Sequence, residues 1–252
     1  MIDRSREAHA FLEAVGATDP GAVSACEGWT THEILAHVTG IAVEVSRHLD
    51  PYLQGDPVPE TRSFEEREAP LRALNHDRLL IRLDAEESRM RTLVSDVLAA
   101  EPDAVVPWTG RRMAVAKFIP HLRNEHALHR WDAVGDDEVS ATLLGQNDLT
   151  EHSVEVLGRI LLVAGRAHDP DPDTDFGVCL RSESEYDLSV VVHDGEAALV
   201  WEAPTSDRPL LACDPAARHL FIWGRRPEGT GRLISHLDPA QLARLQILLS
   251  GY

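Results

Sequence analysis

The sequence predicts a helical N-terminal domain followed by a small α+β domain, and three observations support this prediction. Apolar residues recur at helical spacing through the first two-thirds of the 252 residues. After a stretch rich in proline and aspartate, the pattern changes to the alternation that is typical of strands. Long helices joined by short loops indicate an antiparallel four-helix bundle. We therefore expect a helical bundle at 1–166 and a small α+β domain at 177–252.

Apolar stripes and capping residues define the predicted helices of the N-terminal part. Thr30 and Glu33 have the spacing of a capping box, in which the hydroxyl and the carboxylate each bond a free backbone N–H. The helix that they begin carries Ile34, Ile41 and Val45 on one face. The predicted helices cover residues 3–15, 30–52, 65–99, 112–133 and 147–165, and a turn is predicted at 108–110.

The C-terminal part has the pattern of strands and short helices. Leu188, Val190 and Val192 share one face of a predicted strand, and Asp194-Gly195 is typical of a hairpin turn. Further apolar strands are predicted at 197–201, 208–213 and 232–235, and helices are predicted after Asp214 and at 238–250.

The stretch 168–177 (HDPDPDTDFG) is the predicted domain boundary. Its aspartates resemble a calcium loop, but the spaced glycine and the closing glutamate of an EF-hand are missing. We therefore interpret this stretch as a solvated linker.

Composition limits the class of protein. An apolar content of 43% allows a sizeable core, and a net charge of −18, from 42 acidic against 24 basic residues, argues against nucleic-acid or anionic-membrane binding. Cys26, Cys179 and Cys213 are too few and too far apart for a disulfide framework or a cysteine-based zinc site. The start lacks the apolar region of a signal peptide, and no run of 18 apolar residues occurs. We expect a soluble cytoplasmic protein with reduced thiols, of undefined oligomeric state.

The segment 121–132 (HLRNEHALHRWD) contains the main candidate site. Glu125 and His129 are four residues apart, so on a helix they share one face. His37 interrupts the apolar stripe of an earlier helix. If the two faces meet, they form a His/Glu/His set, and three protein ligands with an open fourth position are typical of catalytic zinc. The alternatives are a core histidine at position 37 and a solvated face at positions 125 and 129.

Neighbouring histidines fit a ligand role less well. His121 lies ~12 Å along the helix axis from His129, and His126 points away from the shared face, so both are expected around the site or on the surface. His32 and His48 fall outside the apolar stripe and are expected on the surface.

The end of the same segment offers two interpretations. Asp132 either orients a metal-bound imidazole or forms a helix-end salt bridge with Arg130, and we prefer the salt bridge. Trp131 is expected in the core. Cys26 is expected to be a small buried residue and not a catalytic thiol, because no base adjoins it in sequence.

Three motifs resemble those of the mycothiol-dependent maleylpyruvate isomerase family. The segment 26–37 (CEGWTTHEILAH) resembles the family's opening motif, and 123–132 (RNEHALHRWD) resembles its second hallmark. The segment 221–226 (FIWGRR) resembles the W-G-R motif of the C-terminal domain. The resemblance implies a DinB-like metal-binding four-helix bundle followed by a small α/β domain similar to sterol carrier proteins.

The resemblance also implies a chemistry. It places a divalent metal, usually zinc, on His37, Glu125 and His129, with mycothiol as thiol cosubstrate. Arg225, the arginine of the W-G-R motif, is the expected catalytic residue and would contact an anionic substrate or the thiol; Arg111 or Arg112 would assist with a carboxylate. The implied enzyme is a thiol-dependent isomerase or S-transferase acting on a small electrophile that bears a carboxylate. The alternatives are a metal-dependent hydrolase and a non-catalytic metal- or ligand-binding protein.

Overall fold

The computed structural model describes residues 2–157, 162, 164–183, 186–204, 208–227 and 232–250. The chain forms two compact units, Met1–Asp137 and Glu138–Tyr252. The expected domains, 1–166 and 177–252, differ from this division in the segment 138–176, and as domain bounds they stay a prediction. The expected fold class, a helical bundle followed by a small α+β domain, is confirmed.

Five α-helices form the described part of the first unit. They are α1 (Arg6–Ala17), α2 (Thr31–Gln54), α3 (Phe64–Arg72), α4 (His76–Ala100) and α5 (Phe118–Val134). Helix α2 packs against α3, α4 and α5, and α1 packs against α5. The core between them is apolar and includes the fully buried side chains of Phe11, Ile34, Leu35, Leu49 and Leu83.

Helix α2 begins as the sequence predicts. The Thr30 hydroxyl accepts from the backbone N–H of Glu33, and the Glu33 carboxylate accepts from the backbone N–H of Thr30 at 2.8 Å. These bonds satisfy two N–H groups that a helix start leaves free. The cap therefore fixes where the helix begins and which face carries His37.

The single helix predicted over 65–99 is wrong, because the chain starts a second helix inside it. The side chain of Asn75 accepts from the backbone N–H of Arg78 at 2.9 Å and caps the start of α4. Helix α3 has its own capping box, formed by Ser63 and Glu66. The break makes α3 a separate short helix, which packs on α2.

A hairpin replaces the beginning of the helix predicted at 112–133. Strands β1 (Val105–Trp108) and β2 (Arg111–Ala114) pair antiparallel, and Thr109 and Gly110 between them have positive φ angles of 46° and 75°. The predicted turn is thus present, but its flanking strands are only four residues long and too short to show alternation. A 3₁₀ turn at Val115–Lys117 leads into α5.

The second unit contains a five-stranded sheet and short helices. The helices are α6 (Glu138–Leu144), α7 (Asn147–His152), α8 (Pro215–Ile222) and α9 (Pro239–Leu248), and the strands are β3 (Phe176–Arg181), β4 (Asp187–His193), β5 (Glu196–Glu202), β6 (Leu210–Cys213) and β7 (Leu233–Ser235). The strand order is β5-β4-β3-β6-β7; β3 and β6 run parallel, and the other neighbours are antiparallel.

Most elements of this unit were predicted, with two omissions. The sequence did not predict α6 or β3. The helix predicted at 147–165 begins as α7 and continues as a π-helical turn at Ser153–Leu157, while residues 158–161 and 163 lie outside the described residues.

The linker interpretation of 168–177 is wrong at Asp169. This carboxylate is buried and accepts hydrogen bonds from Arg244 Nε at 2.9 Å and Arg166 Nη1 at 3.0 Å. The Arg244 guanidinium also lies 4.8 Å from the ring centre of Phe176, the first residue of β3. The stretch is therefore held to α9 by a buried ion pair and is not simply solvated.

The cysteines are free in the structure, with Cys26 half-buried and Cys179 buried. Among the described residues, no helix combines the length and apolar character needed to cross a membrane.

Candidate metal centre

Helices α2 and α5 bring His37, Glu125 and His129 together. Oε2 of Glu125 lies 3.6 Å from Nε2 of His37 and 3.3 Å from Nε2 of His129, and the three ligand atoms lie within 4.8 Å of one another. Bonds of ~2.0–2.2 Å to a shared ion place ligand atoms up to ~4 Å apart. The two distances to Glu125 therefore suit one ion, and all three residues are buried.

Each imidazole is oriented by a second carboxylate on its outer nitrogen. Nδ1 of His37 bonds Oε1 of Glu68 at 2.8 Å, and Nδ1 of His129 bonds Oδ2 of Asp132 at 2.8 Å. A carboxylate on Nδ1 keeps the proton there and leaves the Nε2 lone pair free for a metal. Both Nε2 atoms face Glu125, so the donor set fits a divalent ion such as zinc.

Glu68 was missed by the sequence reasoning. It lies on α3, 31 residues from its partner His37, and no spacing rule connects a residue of one short helix with a specific face of another. Its only sequence feature was a carboxylate on a charged amphipathic segment. The break between α3 and α4, which the sequence reasoning also missed, is what brings it to α2.

The charges at the centre are strongly coupled. Burial alone would raise the pKa of Glu125, but hydrogen bonds from His129 and His37 outweigh it and hold the pKa well below its usual range. Burial alone would lower the pKa of His129, but its bonds to Asp132 and Glu125 raise the pKa to about 9. Both nitrogens of His129 therefore lie next to negative charge, and the same negative charge favours a metal cation at the centre.

Aromatic side chains wall the centre. The ring of Trp29 lies 5.0 Å from that of His37 and 6.2 Å from that of His129, while Phe64 lies 5.5 Å from His37. Trp29 follows Gly28, whose φ of 80° is left-handed and suits glycine. The motif 26–37 therefore supplies both a candidate ligand, His37, and an aromatic ring beside the two imidazoles.

Three other histidines of the first unit are also buried, each with different neighbours. His121 is buried beside the centre, with Nδ1 3.9 Å from Oε1 of Glu125, and burial lowers its pKa. His126 points away and bonds Glu87 at 2.6 Å. The surface prediction for His48 is wrong: this side chain is fully buried against the Trp108 ring, at 5.7 Å.

The end of α5 favours the orienting role of Asp132 over the salt bridge that we preferred. Arg130 makes a two-pronged pair with Asp137, with both N–O distances 2.7 Å. Asp132 bonds His129, and its backbone carbonyl accepts from the N–H of Ala25, which ties the motif loop to the helix. Trp131 is buried, as expected.

The three arginines that were expected to bind the substrate lie on two parts of the chain. Arg111 and Arg112 are on β2, and the charge of Arg111 contributes to the lowered pKa of His121. Arg225 follows α8 in the second unit, where its Nη1 donates to the carbonyl of Trp223 at 3.1 Å. Its role stays a prediction.

Comparison with known proteins agrees with the first two motifs, at 26–37 and 123–132. The family "Mycothiol maleylpyruvate isomerase N-terminal domain" matches residues 3–134. Two crystal structures of a mycothiol-dependent maleylpyruvate isomerase are similar in fold. A histidine-to-alanine mutant has a TM-score of 0.63 at 16% identity, covering 93% of this chain and 91% of that one. The second structure has a TM-score of 0.61 at 16% identity, covering 92% of each.

At this identity the crystal structures show the fold alone. No curated protein sequence matches the chain at a significant level. The family match, in contrast, spans more than half of the 252 residues and contains the motifs around His37 and His129. The chain therefore belongs to the mycothiol maleylpyruvate isomerase family, whose N-terminal domain it carries.

Proposed function

We propose that this protein is a metal-dependent enzyme that uses mycothiol, or a similar low-molecular-weight thiol, to isomerise or thiolate a small electrophile bearing a carboxylate. The observation that carries the proposal is the buried set of His37, Glu125 and His129, in which two further carboxylates orient both imidazoles. Family membership and the similar fold of a mycothiol-dependent isomerase support the choice of thiol chemistry.

The protein residues would prepare the centre for this chemistry. His37 and His129 would present Nε2, and Glu125 would add one negative charge, so the ligand set would hold a divalent ion with a net positive charge left over. When bound, such an ion supplies Lewis acidity that favours the thiolate form of a thiol at neutral pH. Zinc is the proposed ion, although nitrogen and oxygen ligands of this kind accept several metals.

The reaction balances without a further reactant. The thiolate sulfur adds to one carbon of an electrophilic double bond, the remaining single bond rotates, and loss of the same thiolate restores the double bond with the other geometry. An S-transferase would keep the new carbon–sulfur bond, and the neighbouring carbon would take up the proton that the thiol released. In both reactions the rings of Trp29 and Phe64 would lie next to the reacting groups, because both rings contact His37. Arg225 is proposed to contact the anionic substrate or the thiol.

Metal content of a Glu125→Ala variant tests the ligand assignment. We expect wild-type protein to hold close to one zinc per chain and the variant to lose it, because Glu125 faces both imidazoles. His126→Asn is the matched control, since His126 is the next residue of the same helix but bonds Glu87. Stoichiometric zinc in folded Glu125→Ala protein would remove the ligand assignment.

A substrate panel tests the thiol chemistry. Metal-loaded protein is given mycothiol with an electrophilic unsaturated carboxylate, and in parallel ester and amide substrates without thiol. Thiol-dependent turnover of the electrophile is expected. Thiol-independent hydrolysis would instead support a metal-dependent hydrolase, in which the same ion activates water.

A further inference from the structure

Arg67 is a buried arginine that lies next to Glu68, the carboxylate that orients His37. Its side chain is 2% exposed, and Nε and Nη2 are enclosed by protein without a hydrogen-bond partner among the described residues. Its described neighbours are the ring of Phe64, 4.6 Å from Cζ, and Oε1 of Glu68, 3.7 Å from Nη2. The second distance is too long for a hydrogen bond.

The nearby carboxylates are already engaged by other groups. Glu68 accepts from His37 at 2.8 Å and from Arg72 at 3.4 Å. Glu44 accepts from the backbone and side chain of Arg62, both at 2.8 Å. Nε and Nη2 of Arg67 therefore have negative charge nearby but no hydrogen-bond acceptor among the described residues. A charged group left in the interior without hydrogen bonds is costly, so its presence calls for an acceptor that the protein itself does not provide.

Close helix packing places Arg67 at the centre. A Cβ atom added at Gly40, one turn after His37 on α2, would lie 3.3 Å from Cγ of Glu68 and 3.6 Å from Cβ of Arg67. Glycine thus allows α3 to approach α2. Burial lowers the pKa of Arg67 and the charge of Glu125 opposes this, while Arg67 contributes to the lowered pKa of His121, so its guanidinium is within electrostatic reach of both residues.

We propose that Arg67 binds the carboxylate of the substrate when the exposed ring of Phe64, which covers the guanidinium, moves aside, with Nε and Nη2 donating two parallel hydrogen bonds. These two atoms form the side edge of the guanidinium, whose N–H groups match the two oxygens of a carboxylate. The inference rests on the proposed function and adds a residue to it, because the sequence assigned anion recognition to Arg225, Arg111 and Arg112. A carboxylate held here lies beside the ion's ligands, which sets the reacting double bond close to a thiol bound at the centre.

Binding of succinate, an unreactive dicarboxylate, to zinc-loaded full-length protein tests this assignment. Isothermal titration against succinate at constant ionic strength is carried out with wild type, Arg67→Met, Arg67→Lys and Arg82→Met. Arg82 is the matched control, since it is an arginine of the same unit with a half-exposed side chain. Zinc content is measured for each protein, because succinate could bind the ion directly.

We expect Arg67→Met to bind succinate at least ~10-fold more weakly than wild type, since hydrogen bonds between charged groups contribute ~1.5–3 kcal/mol. Arg82→Met is expected to bind succinate as tightly as wild type. Arg67→Lys should have an affinity between those of wild type and Arg67→Met, since an ammonium group keeps the charge but lacks the two parallel N–H groups of a guanidinium. Wild-type affinity in zinc-loaded Arg67→Met overturns the inference, as does undetectable binding to wild type. If Arg67→Met does not fold, wild-type affinity in Arg67→Lys overturns it.

Failure of the proposed function gives a different result. Protein that binds succinate through Arg67 but holds no metal, and shows no thiol-dependent turnover, would contradict the proposed function and leave the carboxylate site in place. Full metal content and thiol-dependent turnover, with succinate affinity unaffected by the loss of Arg67, would support the proposed function and contradict the carboxylate site.

Discussion

His126 and His129 lie three residues apart on α5, and both are buried next to glutamate, yet their surroundings favour different roles. Nε2 of His126 bonds Glu87 at 2.6 Å, and its Nδ1 is buried without a partner among the described residues. His129 has carboxylates at both nitrogens, Asp132 at Nδ1 and Glu125 at Nε2. The nitrogen that faces Glu125 is therefore the one left free for a metal.

The two glutamates differ in the same way. Glu87 is surrounded by opposite charge, with Arg91 at 3.3 Å and Arg4 at 3.7 Å in addition to His126. Oε2 of Glu125 instead faces Nε2 atoms of two imidazoles from two helices. Around Glu87, each charged group is neutralised by its neighbours. At the candidate metal centre, several lone pairs point to one position. The difference lies in the convergence of donors and not in burial or residue type.

Removal of His129 should have the largest effect on metal binding. We expect His129→Ala to weaken zinc affinity by more than ~100-fold, because even an outer partner of a metal ligand contributes ~10–100-fold. Competition with a chromophoric chelator measures this affinity. His126→Ala should keep the wild-type affinity, since its nitrogens face Glu87 and not the centre.

The same pair of variants separates binding from stability. His126→Ala leaves Glu87 buried with one hydrogen bond fewer but still beside Arg91 and Arg4, and a hydrogen bond to a charged group contributes ~1.5–3 kcal/mol. We expect urea denaturation to show this loss in the free energy of unfolding. If His126→Ala lost zinc while keeping its fold, the contrast between the two histidines would be wrong.

Loss of an orienting carboxylate should have a smaller effect. Asp132→Asn and Glu68→Gln keep the shape of the side chain but remove the charge that holds each Nδ1–H at 2.8 Å. Zinc affinity is expected to fall by ~10–100-fold in each variant. Glu66→Gln is the control on α3, because Glu66 caps the exposed start of that helix. Equal affinity in all three variants would show that the outer bonds do not position the imidazoles.

The proximity of Glu125 to His129 and the first helices could be predicted because they depend on local rules. Glu125 and His129 follow from helical spacing, and the start of α2 follows from its capping box. His37 was identified as a polar interruption of an apolar stripe. The proximity of His37 to α5 depends on tertiary structure. Only the resemblance to a family motif indicated it before the structure was known.

Residues that depend on distant packing could not be predicted. Glu68 and Arg67 reach the centre because α3 ends at Arg72 and Asn75 caps the start of a separate helix, and because Gly40 allows close approach of α3 to α2. Neither condition leaves a pattern around positions 67 and 68. Asp169 was assigned to solvent for the same reason, since its partner Arg244 is 75 residues away.

His219, in the second unit, extends the comparison to a buried histidine without a carboxylate partner among its described contacts. Its Nδ1 lies 3.1 Å from the hydroxyl of Thr150, and Nε2 has no partner among the described residues. Burial, together with the charges of Arg218 and Arg225, lowers its pKa to about 3. His129, which has two carboxylates, has its pKa raised to about 9.

The lowered pKa of His219 predicts acid sensitivity with a definite sign. The unfolded chain binds a proton below its pKa of 6.5, whereas the folded protein does not until about pH 3, so stability is complete above 6.5 and falls as pH decreases between these values. From pH 7 to 5.5 this group should reduce the free energy of unfolding by ~1 kcal/mol. His219→Asn keeps an acceptor for Thr150. Urea titrations at the two pH values should show that this variant loses ~1 kcal/mol less free energy of unfolding than wild type does. His236→Gln, at an exposed position, is the control and should lose as much stability as wild type between the two pH values. If His219→Asn also lost as much as wild type, His219 would not stay neutral in the folded protein.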